Sequence, residues 1–328
     1  MPPLLRVSDL KTYYFGFRGS RIVKAVDGVS FDLEAGETLG LVGESGCGKT
    51  TTCHAIVRLL APSARIVSGR IELEGEDLVT KSQAEMRLIR GRRIATILQD
   101  PMASLDPLFS IYDQVAEPAY YHQDLRGGAL RRRVRELLTA VRIPSPERRM
   151  RDYPHQMSGG MRQRIVGAIA QAGGPRIIIA DEPTTNLDVT IQLQYLNLLK
   201  DLQRATGVAL IFVTHNLGIV AKMCDWVAVM YAGKIVEQQS VRGLFYRARH
   251  PYTKALLDSM PKLGVKEPLY GIPGQPPDLS DLPPGCSFHP RCRQAMERCR
   301  IEEPLPSDVG EGAMARCWLP IEEATARG

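Results

Sequence analysis

The octapeptide Gly43-Glu44-Ser45-Gly46-Cys47-Gly48-Lys49-Thr50 constrains this chain more than any other feature. It matches G-x-x-x-x-G-K-[ST] at every fixed position. It follows an apolar run, residues 38–42, that reads as a strand, and it opens a segment, residues 49–60, that reads as a helix. Glycines let a backbone curl until successive N–H groups converge on an anion, and a helix start adds partial positive charge. Gly43, Ser45, Gly46, Cys47, Gly48 and Thr51 are therefore expected to line a phosphate cradle. Lys49 places a point charge on the β- and γ-phosphates of a nucleotide such as ATP, and the Thr50 hydroxyl is a hard oxygen ligand suited to Mg2+. Cys47 stands at a free position and reads as a small residue that fits. The competing reading is a chance glycine-rich turn, and eight positions in the required context disfavour it.

The segments around the loop alternate between strand-like and helical patterns. Residues 23–33, 71–73, 94–98, 176–180 and 208–214 are apolar and β-branched, as strands are. Residues 131–141 and 189–205 carry helical periodicity, the second ended by Gly207. Residues 226–238 read as a hairpin turning at Ala232-Gly233. Such alternation predicts an α/β core with a largely parallel sheet. Residues 101–165, rich in Pro, Met and Arg, read as a helical insertion. Residues 261–284, dense in Pro and Gly, read as extended or loop-like.

Composition narrows the function classes. With 44% hydrophobic and 24% charged residues the chain is ordinary for a globular protein. No run approaches the roughly 18 apolar residues of a membrane-spanning helix, and the first residues lack a signal-peptide pattern, so a cytoplasmic location is expected. Net charge is +6, with a local excess in residues 126–135. That stretch could dock an acidic partner, anionic lipid or nucleic acid. A solvated helix face is the favoured reading, and the absence of interleaved aromatic residues argues against nucleic acid.

A second half-site stands at residues 176–182, a continuous apolar run closed by Asp181 and Glu182. A strand buried on both faces reads in this way. Asp181 is placed to hold the Mg2+ shell and Glu182 to polarise an attacking water, which with positioning and charge is most of what phosphoryl transfer needs. Further motifs follow in a fixed order. Ser158-Gly159-Gly160-Met161-Arg162-Gln163 resembles the ABC signature, with Met161 where Gln is usual. Gln99, before Asp100-Pro101, resembles the Q-loop glutamine. Asn186-Leu187-Asp188 resembles the D-loop, and His215 the switch histidine. Residues 4–240 thus resemble an ABC-type ATP-binding cassette, a P-loop NTPase (RecA-like) α/β fold with an antiparallel β subdomain and a helical subdomain.

That resemblance implies a mechanism. Two cassettes pack head to tail around two ATP molecules, each on the loop of one cassette and completed by Ser158, Gly159 and Gly160 of the other. Gln99 would sense the γ-phosphate and metal, His215 would contact the γ-phosphate, and Asp188 would belong to the nucleotide site. Cassettes also stack adenine on an aromatic residue ahead of the loop. Tyr14 is the choice here with Tyr13 close behind, and ordinary strand tyrosines are an equal alternative. Plain readings stand beside these: Ser158 as a helix N-cap, His215 as a locally satisfied strand-end residue.

Beyond residue 240, Cys286, Cys292, Cys299 and Cys317 are spaced C-x5-C-x6-C-x17-C. Four thiolates in a Pro-rich segment fit a soft-metal site. The spacing suits an iron–sulfur cluster or zinc about equally, with unliganded thiols next and disulfides last. Residues 249–257, 285–292 and 315–318, with Met161 and the following Arg162-Gln163-Arg164, resemble the dipeptide/oligopeptide branch of ABC importers. The branch resemblance implies a [4Fe-4S] cluster on the four cysteines, with zinc the alternative, and His289 as a structural residue. It also implies two membrane permease subunits, a second similar ATPase subunit (a heterodimer, or else a homodimer) and an extracytoplasmic solute-binding protein. The chain would be peripheral on the cytoplasmic face of the cell membrane. Di- or oligopeptides would be the cargo, with nickel complexes or oligosaccharides as alternatives.

The domain division expected is residues 1–100 with 166–240 for the α/β core, 101–165 for the helical subdomain and 241–328 for the cysteine-bearing extension. A soluble non-transport ABC ATPase, a redox protein and an exporter subunit are the competing classes. The first lacks here its usual coiled coil or second cassette, the second needs the cysteines as active centre, and the third is disfavoured by a separate chain bearing this extension.

Overall fold

The computed structural model describes residues 2–16, 21–98, 100, 104–185, 187–261 and 271–319. In chain order the strands are β1 (Leu5–Phe15), β2 (Ile22–Leu33), β3 (Thr38–Val42), β4 (Ala64–Leu73), β5 (Glu76–Asp77), β6 (Ile94–Ile97), β7 (Ile177–Asp181), β8 (Ala209–Thr214), β9 (Trp226–Tyr231), β10 (Lys234–Ser240), β11 (Ser307–Asp308) and β12 (Met314–Ala315). The helices are α1 (Lys49–Ile56), α2 (Gln83–Ile89), α3 (Ile111–His122), α4 (Gly127–Ala140), α5 (Pro146–Arg149), α6 (Gly159–Ala172), α7 (Val189–Thr206), α8 (Leu217–Met223), α9 (Val241–Arg247), α10 (Pro251–Asp258) and α11 (Glu297–Ile301). The chain divides into two compact units, residues 1–33, 39–79 and 214–328 in one, and residues 34–38 and 80–213 in the other.

In the first unit β1 lies between β2 and β4 in an antiparallel sheet, with Leu5 opposite both Leu33 and Leu73. Leu5, Val7, Leu10, Val29, Phe31 and Leu33 are buried, the one-faced alternation that antiparallel sheets show. β4 begins seven residues before the segment read from its apolar end. Arg65, Ser68 and Arg70 mask its strand pattern, and pairing with β1 supplies what the pattern lacks. A second sheet pairs β3 parallel to β9, which turns into β10. Ala232 (φ 48°) and Gly233 (φ 80°) both sit in the left-handed region, as a two-residue I′ turn requires. α1 stops at Ile56, short of the expected residue 60, and Arg58 takes φ 52°.

The extension belongs to this same unit. β12 adds to the edge of β10, Glu237 opposite Ala315, so the sheet edge is covered. The Glu237 carboxylate is fully buried and accepts the N–H groups of Arg249 (2.7 Å) and His250 (2.9 Å), while burial pushes its carboxyl pKa up. A buried carboxylate needs such partners, and here they fix the start of α10. Residues 271–284 form neither helix nor strand, as their Pro and Gly content predicts.

In the second unit β6, β7 and β8 run parallel, Ile94 beside Ile177 and Ile177 beside Ala209. Every residue of β7 and β8 is buried. The helical insertion packs α3, α4 and α6 together. α4 buries Leu130, Val134, Leu137 and Leu138 and turns Arg131 and Arg135 outward to Glu147, at 3.6 and 3.2 Å. The arginine-rich stretch is thus an exposed helix face carrying surface ion pairs. α7 starts at a cap, Asp188 accepting the N–H of Ile191 at 2.9 Å, and ends at Gly207 with φ 68°. These two units cut the chain differently from the three expected segments: the extension joins the β subdomain and the loop, and the helical insertion joins β6–β8.

Candidate active site

The loop after β3 is shaped by two close backbone approaches within the first unit. A Cβ on Gly48 would lie 2.1 Å from the Ala25 carbonyl oxygen, and one on Gly43 would lie 2.2 Å from that of Met230. Only glycine fits either position. Gly48, at φ 108°, caps α1. Lys49, 6% exposed, curls over the loop, and its ammonium donates to the carbonyls of Gly43 (2.8 Å) and Glu44 (3.0 Å). Cys47 is buried behind the loop, its backbone oxygen accepting the Gly233 N–H at 3.0 Å. Burial raises the thiol pKa although Lys49 pulls it down. Ser45, Gly46 and Thr50 face outward. This is a glycine-shaped strand-to-helix bend with Ser45, Gly46 and Thr50 exposed and a buried cation curled over it, residue types suited to a polyphosphate and a hard divalent ion.

Tyr14, at the end of β1, brings its hydroxyl within 3.3 Å of Thr51 Oγ1. Tyr13 points the other way along the pleat and donates to Asp27 at 2.7 Å, where burial and the carboxylate raise its phenol pKa. Of the two ring candidates, Tyr14 stands beside the loop. His215, exposed between β8 and α8, lies in the same unit. Its neighbour Asn216 caps α8, accepting the Gly218 N–H at 2.9 Å.

The second unit carries the other candidates. Asp181 is buried at the end of β7. Glu182 follows with φ 45°, left-handed backbone that costs a non-glycine residue roughly 1–3 kcal/mol and persists where neighbours hold it. Those neighbours are the Val213 carbonyl, which accepts its N–H at 3.0 Å, and the Thr185 hydroxyl, which donates to its carboxylate at 3.0 Å. Ser158 caps α6, accepting the Met161 N–H at 3.3 Å, and with Gly159 it is exposed. Gly160 packs on Ile191, where a Cβ would meet its side chain at 2.9 Å. Asp188 is the α7 cap described above, a role its D-loop resemblance did not announce. Gln99 lies outside the described residues, as does Asn186. The loop and the Asp181–Glu182 strand end belong to different compact units.

The four extension cysteines line one pocket with Phe288, His289, Pro304 and Trp318, and all four are free thiols. Burial pushes Cys286 up to about 11 and Cys317 up to about 12. Bare thiolates would be costly there, and a bound cation would reverse that. The donor set is chemically that of a soft-metal site. Among the described residues, however, no group of three or more His, Cys, Asp or Glu side chains has the mutual spacing of a metal site.

Comparison with known proteins bears on all of this. Residues 26–185 match the family model for ABC transporters, and residues 236–299 that of the oligopeptide/dipeptide transporter C-terminal region. The chain is 47% identical over 322 residues to a probable peptide ABC transporter ATP-binding protein of Sinorhizobium fredii, covering 97% of this chain and 96% of that one. It is 47% identical over 326 residues to a dipeptide transport ATP-binding protein of Bacillus subtilis (99% and 97%) and 42% identical over 322 residues to its Escherichia coli counterpart (98% of each). Among solved structures, a dimeric ATP-binding cassette in a post-hydrolysis state with ADP and Pi superposes with a TM-score of 0.65 at 26% identity, over 73% of this chain and 99% of that one. The cbiO1 cassette of Clostridium perfringens gives 0.64 at 26%, over 75% and 92%. The fold is that of an ABC cassette, a P-loop NTPase with an antiparallel β subdomain. Among the described residues no helix is long and apolar enough to cross a membrane. With near full-length identity to these relatives and matches to both family models, the chain belongs to the ABC transporter family as an ATP-hydrolysing subunit of its oligopeptide/dipeptide branch.

Proposed function

We propose that this chain binds MgATP on the loop around Lys49 and hydrolyses it within a pair of cassettes, driving uptake of di- or oligopeptides from the cytoplasmic face of the membrane. The observation that carries the reading is the loop itself, a glycine-shaped bend with Lys49 curled over it. Relatives named for peptide and dipeptide transport match this chain over at least 97% of its length, extension included, which supports the cargo class.

Lys49 and the loop N–H groups bind and orient the phosphates. Tyr14 stacks on adenine. Glu182 holds and polarises the attacking water, and His215 fixes the γ-phosphate. Ser158, Gly159 and Gly160 of the facing cassette close the site from the other side with a helix N-terminus. Thr50, Gln99 and Asp181 would hold Mg2+, which when bound neutralises phosphate charge. Residues 101–165 form the subdomain that grips a permease. The assembly is two permease subunits, this chain with a second similar ATPase subunit, and an extracytoplasmic solute-binding protein. Cys286, Cys292, Cys299 and Cys317 would hold a [4Fe-4S] cluster, with zinc the alternative. When bound, either supplies a cation that stabilises buried thiolates and ties the extension together.

The test is ATP hydrolysis by the purified importer with its solute-binding protein. Stimulation by di- or oligopeptide-loaded binding protein is expected. Stimulation only by a nickel complex or an oligosaccharide would overturn the cargo, and hydrolysis indifferent to any membrane partner would overturn the transport role. Iron and acid-labile sulfide content with the visible absorption spectrum decides cluster against zinc.

A further inference from the structure

Glu44, the first free position of the phosphate loop, is held by residues more than 200 positions away. Both oxygens of its carboxylate are taken by Arg291, Nη1 donating at 2.6 Å and Nη2 at 3.0 Å. Its backbone N–H donates to the Tyr252 hydroxyl at 2.9 Å, and its carbonyl accepts from Lys49 at 3.0 Å. Every polar group of Glu44 is thereby engaged. The Arg291 side chain is 4% exposed, and its Nε is anchored on the Pro273 carbonyl at 2.8 Å. Tyr252 is held by ring contacts to Tyr231 (centroids 4.6 Å apart) and Phe288 (5.3 Å). Tyr231 ends β9, and two residues on Gly233 donates to Cys47 in the same loop at 3.0 Å.

A carboxylate inside an anion-binding loop carries the same sign of charge as the ligand. Unpaired, it repels a bound triphosphate across a partly buried gap where charges are weakly screened. A planar guanidinium gripping both oxygens neutralises it and fixes its direction, which a lysine cannot do. We propose that Arg291, with Tyr252, is a positioning residue for ATP binding: the extension neutralises and aims Glu44, and so sets the affinity of the loop for MgATP. This inference rests on the reading of residues 43–51 as the nucleotide cradle. It makes the extension part of the ATP site as well as of the cysteine pocket, since Phe288 packs on Tyr252 and also lines that pocket.

The experiment is MgATP titration of the full-length chain, with a fluorescent nucleotide and a thermal melt for each variant. Arg291→Gln is expected to weaken binding roughly tenfold or more by leaving a partly buried carboxylate unpaired in the loop that receives the phosphates. Adding Glu44→Gln to Arg291→Gln is expected to recover most of the lost affinity, because the repelling charge is gone. A purely structural role for Arg291 predicts that affinity falls and recovers only in step with the melting temperature, whereas the proposal predicts weakened binding in Arg291→Gln that is still folded at the titration temperature. Folded Arg291→Gln that binds normally, or that is not rescued by Glu44→Gln, overturns the proposal. Should Arg291→Gln fail to fold, Arg291→Lys carries the test: affinity weakened and recovered by Glu44→Gln supports it, and unchanged affinity overturns it. Lys49→Ala is the control. If it loses binding while Arg291→Gln does not, only this inference fails, and if it binds like the unmodified chain the cradle reading fails with it.

Discussion

The phosphate loop and the four-cysteine pocket lie in one compact unit, yet the fold holds them by opposite means. The loop is made of backbone. Its curvature is forced by Gly43 and Gly48 against the carbonyls of Met230 and Ala25, its lysine is tied to its own carbonyls, and Glu44 is tied from outside. The pocket is made of side chains. Four thiols line it, burial raises the pKa of Cys286, Cys292 and Cys317, and no described group has metal-ligand spacing. Preorganised backbone can receive an anion without rearrangement. Thiols must lose their protons to become metal ligands, and burial here opposes that loss.

That contrast can be broken in several ways. The largest effect is expected from Glu182→Gln, which leaves the loop untouched and removes the carboxylate proposed above to polarise water. ATP turnover should fall by about 10^2–10^4-fold with nucleotide still bound and the cassette pair trapped closed, as steady-state hydrolysis and size-exclusion chromatography with ATP would show. Normal turnover would remove Glu182 from its role. Gly48→Ala attacks the loop's backbone directly. A Cβ 2.1 Å from the Ala25 oxygen at φ 108° should abolish MgATP binding in a calorimetric titration, and retained affinity would show that the curvature is not what binds phosphate.

Replacing all four extension cysteines by serine probes the other side of the contrast. Metal content should vanish and the melting temperature drop, while MgATP affinity changes far less than in Gly48→Ala; equal losses would make the two sites one. The smallest effect concerns His250, whose Nδ1 accepts the Tyr252 N–H at 3.0 Å. Burial depresses its pKa from 6.5 to about 3. The folded chain keeps the imidazole neutral, and the unfolded chain takes a proton below pH 6.5. Its contribution is therefore complete above pH 6.5 and is lost as pH falls towards 3. Acidification from pH 6.5 to 5 should cost the unmodified chain about 2 kcal/mol that His250→Gln does not lose, read as the difference in denaturant midpoints. Parallel losses would contradict the assignment.

Much of this was legible in the sequence for physical reasons. The loop could be read because chirality restricts positions such as Gly48 to glycine, and phosphate chemistry restricts the next two to Lys49 and Thr50. The β7 strand could be read because burial on both faces demands an unbroken apolar run, and the Ala232-Gly233 turn because two left-handed residues suit few amino acids. Tyr13 and Tyr14 could not be separated, since adjacent strand residues face opposite ways and only the register of β1 decides which meets Thr51. The polar half of β4 was hidden because partners, not propensity, hold it. Arg291 and Tyr252 fall inside the extension segments whose branch resemblance is legible. Their grip on Glu44 carries no local signal, because a contact between residues 247 apart leaves no period and no spacing to read.

The most direct measurement is MgATP binding to the purified full-length chain beside its Lys49→Ala variant, both shown to be folded by circular dichroism. The account predicts saturable, magnesium-dependent binding to the unmodified chain and its loss on removing one ammonium group. Equal affinity in the two proteins would contradict it.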